Sequence, residues 1–122
     1  MATIKSYSDL QQSKKLAEIL PIDTADMYWF RNDTETPKIY PKDMMKDSVS
    51  VTLPCWSLAA LLDVLPKFIG DYGKCLYYDV DGYYCGYMVD GDFMLTIKET
   101  KADNFVDAYY EMIIRLNELN LL

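Results

Sequence analysis

The fold of this chain is decided by residues 74–99, KCLYYDVDGYYCGYMVDGDFMLTIKE, which hold two Asp-Gly pairs between runs of β-favouring side chains. Asp-Gly readily adopts the positive-φ conformations of two-residue hairpin turns, so Asp81–Gly82 and Asp90–Gly91 each predict a turn. Such short turns join neighbouring antiparallel strands directly. We therefore predict a three-stranded antiparallel meander, with strands near residues 74–80, 83–89 and 92–99.

The two turns also determine which side chains share a face of this meander, because alternate residues of a strand point to opposite faces. The first face is predicted to carry Cys75, Tyr77, Tyr84, Met88, Phe93, Leu95 and Ile97. The second face is predicted to carry Leu76, Tyr78, Val80, Tyr83, Cys85, Tyr87, Met94, Thr96 and Lys98. Since Thr96 and Lys98 make the second face the more polar one, we expect the first face to pack against the helices.

Tyrosine is frequent, with 11 residues in a chain of 122. Some of these rings are expected in the core, because tyrosine packs well on strands. Others are expected at an interface, where large amphipathic rings are enriched. With the first face buried, Tyr78, Tyr83 and Tyr87 form an aromatic patch near the surface. We predict a protein interface there, for self-association or for a protein partner, unless the first helix or strands within 27–53 cover it internally.

Helical patterns begin and end the chain. The first helix is predicted to start at Ser8, with Gln11 completing a capping box, and to end before Pro21. The last helix is predicted to start at Thr100 or Asp103. Its apolar residues recur at helical spacing: Phe105, Tyr109, Met112, Leu116 and Leu119. We expect this long helix to pack on the sheet.

A third helical pattern lies in LPCWSLAALLDVLP, residues 53–66. Ser57 is a good N-cap, and Asp63 is the only charged residue in the apolar run that follows. A helix that is apolar nearly all round is expected to be buried nearly all round, so we place the centre of the core here. The side chains predicted to be inaccessible to solvent are Leu58, Leu61, Leu62 and Leu65.

Short strands are predicted before this helix. Met27–Phe30 and Lys38–Tyr40 flank the polar stretch Arg31–Pro37 and are interpreted as a hairpin, and Ser48–Leu53 alternates like a half-buried strand. The chain is long enough for one core, so residues 1–122 are predicted to form a single α+β domain. Its largely antiparallel sheet consists of the C-terminal meander and the shorter N-terminal strands, packed against about three helices.

Composition argues against several partners and locations. The formal net charge is −7, and nucleic acid is held mainly by Lys and Arg, so direct nucleic-acid binding is not expected. No run of about 20 apolar residues could span a membrane. Met1–Leu20 lacks the continuous apolar core of a signal peptide, and three cysteines without close spacing do not suggest disulfides. We therefore expect a cytoplasmic protein.

Catalysis is not expected, and neither is a cofactor or a metal site. The chain has no histidine and no glycine-rich phosphate-binding motif. Cys55 lies near a helix start, where a thiolate would be stabilised, but we interpret it as a buried thiol beside Trp56. The cysteines lack the close pairs of zinc sites. Hairpin chemistry accounts, without a bound cation, for the turn aspartates Asp79, Asp81, Asp90 and Asp92.

Three segments of the chain carry a resemblance to a known group of proteins. They are LQQSKKLAEILPIDTADMYW (10–29), LPCWSLAALLDVLP (53–66) and NFVDAYYEMIIRLNELN (104–120), and together they cover about two-fifths of the chain. In the order and approximate spacing of these segments, the chain resembles a group of short, acidic, uncharacterised proteins. These proteins come from prophages and mobile elements of gut Bacteroidales bacteria. The resemblance implies a bacterial cytoplasm and an accessory role. It implies no catalytic residue and no mechanism.

Two functions follow from these observations. We predict a non-enzymatic accessory module of a phage or mobile element that binds proteins. The alternative is an acidic mimic of nucleic acid that blocks a DNA-binding protein, which requires carboxylates arrayed densely along one face. The acidic residues are instead scattered along the chain, at Asp33, Glu35, Asp43, Asp47, Asp63 and the turn aspartates, so we rank the mimic second.

Overall fold

The computed structural model describes residues 5–30, 33–39 and 52–122. Over these residues the chain has an α+β fold with a largely antiparallel arrangement of strands, as predicted. The described residues divide into two compact units, one within Ser6–Ala60 and the other formed by Leu61–Leu122 together with Lys5. That residues 1–122 form a single domain stays a prediction.

Helix α1 spans Leu10–Ile19 and begins later than predicted. Its N-cap is Asp9, whose carboxylate accepts a hydrogen bond from the Gln12 amide at 2.8 Å. The Gln12 side chain in turn accepts one from the Asp9 amide at 3.0 Å, which completes a capping box. Ser8 is not the cap, because its hydroxyl is buried and accepts a hydrogen bond from the Trp56 amide at 3.1 Å.

The first sheet has the strand order β2-β1-β3 and is antiparallel. Its strands are β1 (Met27–Phe30), β2 (Asp33–Ile39) and β3 (Thr52–Cys55). The predicted hairpin is confirmed, with Met27 opposite Ile39, although β2 begins inside the stretch that was predicted to be a polar loop. The predicted strand Ser48–Leu53 lies outside the described residues except for its last two positions, which belong to β3.

Helix α2 spans Leu58–Val64, and the division between the two units falls within it. Ser57 caps the helix as predicted, because its hydroxyl accepts a hydrogen bond from the Ala60 amide at 3.2 Å. Of the four side chains predicted to be inaccessible, Leu61 and Leu65 are buried, whereas Leu58 and Leu62 are only half-buried. Since Ala59 and Asp63 are exposed, the prediction that this helix is buried nearly all round is wrong.

The second sheet belongs to the C-terminal unit and is antiparallel in every described pairing. Its strands are β4 (Phe68–Ile69), β5 (Tyr72–Asp79), β6 (Gly82–Val89), β7 (Asp92–Phe93) and β8 (Thr100–Ala102). The strands β4, β5 and β6 are neighbours in that order, and β6 also pairs with both β7 and β8. The long hairpin of β5 and β6 is the predicted one, whereas β4 has no counterpart among the predicted strands.

The first turn of the meander lies one residue earlier than the predicted Asp81–Gly82 turn. The Asp79 carboxylate accepts hydrogen bonds from both amides of that pair, at 2.8 and 3.2 Å, and so forms an Asx turn. Tyr78 consequently lies opposite Tyr83 instead of Cys85. Because the pairing shifts by an even number of residues, the side chains of this hairpin keep their predicted faces.

The second turn is confirmed, but the strand after it is shorter than predicted. Asp90–Gly91 has positive φ at both residues, 49° and 85°, and Met88 lies opposite Phe93 as expected. Strand β7 then ends, and pairing with β6 resumes only at β8. The Phe93 ring covers Gly86, where an added Cβ would lie 2.9 Å from it. Leu95 therefore does not take its predicted place opposite Gly86, and it is 93% exposed.

Helix α3 spans Phe105–Glu118. Its N-cap is Asn104, whose side-chain oxygen accepts a hydrogen bond from the Asp107 amide at 2.8 Å, so neither Thr100 nor Asp103 is the cap. Of its predicted apolar stripe, Tyr109, Met112 and Leu116 are buried, Phe105 is half-buried and Leu119 is exposed. This helix is the longest described and contributes the most buried side chains to the C-terminal unit.

Helix α3 packs on the second face of the meander, so the predicted orientation of the sheet is wrong. The rings of Phe105 and Tyr83 are in contact, with centroids 4.8 Å apart, and Cys85 and Tyr87 on the same face are fully buried. The predicted exposure of this face rests on Thr96 and Lys98 in the predicted third strand. Because that strand ends early, those residues do not belong to the face. Ile97, predicted for the core, is buried.

Candidate interaction surface

The three predicted interface tyrosines occupy different environments. Tyr78 is 71% exposed and Tyr83 is half-buried, whereas Tyr87 is fully buried. The Tyr87 hydroxyl donates a hydrogen bond to the Pro66 carbonyl at 2.7 Å, and burial raises the pKa of this hydroxyl above its ordinary value. Tyr87 is a core residue, so its predicted place near the surface is wrong.

Tyr78 and Tyr83 lie at the exposed end of a row of aromatic rings. Their ring centroids are 5.8 Å apart in a stacked pair, and Phe105 contacts Tyr83 edge-on at 4.8 Å. Phe105 also contacts Tyr78 at 6.4 Å and Tyr109 at 5.5 Å. Aromatic pairs of this kind contribute about 0.5–1.5 kcal/mol each beyond the area that they bury. The row therefore holds the exposed ring of Tyr78 in place.

The turn between β5 and β6 adds a second exposed apolar side chain. Val80 is wholly exposed two residues from Tyr78, in a turn that the Asp79 carboxylate caps. We name Tyr78, Val80, Tyr83 and Phe105 the hairpin-end patch. Two of its members, Tyr78 and Val80, are exposed, and exposed apolar patches are typical of protein-interaction sites on soluble proteins.

Polar contacts fix the start of α3 and with it the position of Phe105. The Asn104 side chain donates a hydrogen bond to one Asp107 carboxylate oxygen at 2.9 Å, in addition to accepting the Asp107 amide. The other carboxylate oxygen accepts a hydrogen bond from the Lys5 ammonium at 2.7 Å. The patch is thus built from anchored elements, which reduces the entropy that it would lose on binding.

The first face of the meander carries a second aromatic cluster. Tyr77 and Tyr84 stack with ring centroids 4.5 Å apart and planes 7° from parallel. The Tyr77 hydroxyl donates a hydrogen bond to the Glu99 carboxylate at 2.5 Å. Burial and this negative neighbour raise the pKa of Tyr77. Because the Tyr77 hydroxyl is paired with Glu99 and the two rings stack on each other, we interpret this cluster as structural support for the sheet.

Cys55 is placed as predicted, as a buried thiol. It is fully buried in the N-terminal unit, where its sulfur donates a hydrogen bond to the Ser8 carbonyl at 3.4 Å. Burial raises the pKa of this thiol, so the reactive thiolate is disfavoured. The neighbouring Trp56 is also fully buried, and its indole donates to the Thr24 hydroxyl at 2.9 Å.

Over residues 5–30, 33–39 and 52–122, no group of three or more acidic, cysteine or histidine side chains is arranged to hold a metal ion. No helix among these residues is long and apolar enough to cross a membrane.

Sequence reasoning missed Phe105 as part of the candidate surface. Its spacing placed it on the buried stripe of the last helix, where Tyr109 and Met112 are indeed buried. The available signal was its position in the first turn, because a stripe residue at a helix end lies at the border of the packed face.

Comparison with protein-family models, curated proteins and solved structures finds no match for this chain.

Proposed function

We propose that this protein is a non-catalytic binding module that contacts other proteins through the hairpin-end patch. The observation that carries the proposal is the exposure of Tyr78 and Val80 beside rings that are packed in place. A fixed tyrosine offers a large apolar area and a hydroxyl at little cost in side-chain entropy.

The charges around the patch favour a particular kind of partner surface. Asp79 and Asp81 are exposed at the same turn as Val80, and the whole chain carries a net charge of −7. Complementary charge at the rim of an interface guides association and disfavours wrong partners. We infer a partner surface that is apolar opposite Tyr78 and that carries Lys or Arg at its border.

The cellular setting is part of the same proposal. The resemblance to proteins of prophages and mobile elements supports an accessory role in a bacterial cytoplasm. In this role the protein acts by occupying a surface of another protein, and it needs neither a cofactor nor a bound metal.

Photo-crosslinking from the patch tests the proposal. A benzoyl-phenylalanine introduced at Val80 replaces a wholly exposed side chain, so the fold is expected to tolerate it. The matched control carries the same residue at Leu95, which is 93% exposed and follows the other turn of the meander. Both proteins are expressed in the native host, irradiated and analysed by mass spectrometry.

We expect one dominant crosslinked protein species from Val80 and none above background from Leu95. Equal crosslinking yields from the two positions would show that the contacts are unspecific. That result, or no crosslink from Val80, would overturn the patch as the binding surface.

A further inference from the structure

The outer edge of β5 has open backbone groups. Strand β4 pairs with residues 72–73 of β5, and the Lys74 amide donates a hydrogen bond to the Lys67 carbonyl at 2.9 Å. Beyond Lys74, no strand among the described residues lies on this side of β5. Backbone groups of a strand point alternately to its two sides. The Lys74 bond therefore shows that the N–H and C=O groups of Leu76 and Tyr78 point to the open side.

The centre of this open edge, Leu76–Tyr78, carries no charged side chain, proline or bulge that would protect it. Natural edges carry lysine, proline or a bulge, which prevent pairing with another chain. The whole open edge, Cys75–Asp79, reads CLYYD, without lysine or proline, and its pairing with β6 is regular at every position. Tyr77 and Tyr78 also favour extended structure. An edge of this kind is a template for a further strand.

We propose that a second copy of this chain adds its own β5 to this edge, in an antiparallel pair that is symmetric about Tyr77. Leu76 of one copy then lies opposite Tyr78 of the other, and the same pair recurs on the other side of the axis. The open backbone groups of both copies are satisfied in this one register. The inference rests on the proposed function and specifies its partner as another copy.

The distribution of charge favours this antiparallel alignment. The acidic turn, with Asp79 and Asp81, lies at one end of the open edge, and the basic end, with the exposed Lys67, lies at the other. The Lys74 ammonium at this basic end donates hydrogen bonds to the Leu62 and Leu65 carbonyls of its own chain. Antiparallel pairing brings the acidic end of each copy to the basic end of its mate, where opposite charges are favourable. A parallel pair would bring the like charges together.

The backbone pairing of Lys74 with Lys67 limits the length of the edge and so the strength of the assembly. Because Lys67 occupies the place opposite Lys74, only the five residues Cys75–Asp79 are open to a second strand. An interface this short lies at the small end of specific interfaces, so the dimer is expected to be reversible and to dissociate on dilution.

Amide hydrogen exchange on the unmodified protein tests the pairing directly. We expect the Leu76 and Tyr78 amides to exchange quickly in dilute protein and at least about tenfold more slowly at concentrations where sedimentation velocity shows a dimer. The Tyr77 amide is the internal control. It lies on the β6 side of the strand, so it should be protected at both concentrations.

Two substitutions at Tyr78 separate the edge from the side-chain patch. Y78T keeps the backbone amide and removes the ring, and it should weaken the dimer by about tenfold, as loss of an interface tyrosine does. Y78P removes the ring and the outward amide, without removing a hydrogen bond to β6, because proline is tolerated where the amide of an edge strand faces solvent. It should leave a monomer in sedimentation velocity at every concentration.

The outcomes distinguish this inference from the proposed function. A dimer in which the Leu76 and Tyr78 amides still exchange quickly would overturn edge pairing, and the patch would remain the binding surface if Y78T weakens that dimer. A wild-type protein that is monomeric at every concentration would overturn the second copy as partner. The crosslinking from Val80 would then still test binding to a different protein.

Discussion

At the scale of single residues, a buried thiol and a buried tyrosine hydroxyl make the stability of the fold sensitive to alkaline pH. Burial raises the pKa of Cys85 to about 12 and that of Tyr109 to about 12, so both groups stay neutral in the folded protein. In the unfolded chain a cysteine ionises near its ordinary pKa of about 8.5. The contribution of Cys85 to stability is therefore complete below that pH and is lost as the pH rises towards the pKa of the folded state.

We predict that the free energy of unfolding falls steeply between about pH 9 and pH 11, with Cys85 contributing up to about 1.4 kcal/mol per pH unit. Urea unfolding at a series of pH values measures this slope. In Cys85→Ala the slope should be shallower, even though the lost contacts lower its stability at neutral pH. A Cys85→Ala protein with the wild-type slope would contradict the neutral, buried thiol.

At the scale of elements, the start of α3 is the clearest test of a local hydrogen bond. Asn104→Ala removes the side-chain acceptor of the Asp107 amide and should destabilise the protein by about 0.5–2 kcal/mol in urea unfolding. The control is Asp103→Ala, which changes an exposed residue and should stay within about 0.5 kcal/mol of wild type. A larger loss from Asp103→Ala than from Asn104→Ala would place the cap at Asp103 instead.

Helix α2 allows a second comparison within one element. Leu61 is fully buried and Leu62 is half-buried. Leu61→Ala should cost about 2–5 kcal/mol through lost contacts and a residual cavity, and Leu62→Ala should cost clearly less. Thermal or urea unfolding measures both. A loss below about 1 kcal/mol for Leu61→Ala would show that this part of α2 does not belong to the core.

Elements set by local chemistry were predictable from the sequence. The turn at Asp90–Gly91 forms where predicted because both residues tolerate positive φ. The first turn lies one residue earlier than predicted because the Asp79 carboxylate accepts hydrogen bonds from the Asp81 and Gly82 amides. The Asp-Gly pattern does not predict this side-chain contact. Ser8 failed as a cap for a similar reason, since its hydroxyl is taken by the Trp56 amide from a distant part of the chain.

At the scale of the whole molecule, the sequence predicts the class of fold better than the candidate site. Hydrophobic alternation assigns side chains to two faces of the meander, but it does not show which face the last helix covers. The helix covers the face of Tyr83 and Tyr87, because the third strand ends at Phe93 and its polar residues leave that face. Only the exposed end of the predicted tyrosine patch, at Tyr78, therefore remains available to a partner.

The central claim is that this exposed end binds protein, and in particular a second copy of the chain. Sedimentation equilibrium of Tyr78→Ser and Leu95→Ser beside the wild type tests it most directly, since both substitutions remove an exposed apolar side chain. We predict a dissociation constant about tenfold larger for Tyr78→Ser and an unchanged one for Leu95→Ser, with both proteins folded by circular dichroism. Equal dissociation constants for all three proteins would contradict the claim, and a wild-type mass of 14.1 kDa at every concentration would overturn the second copy as the partner.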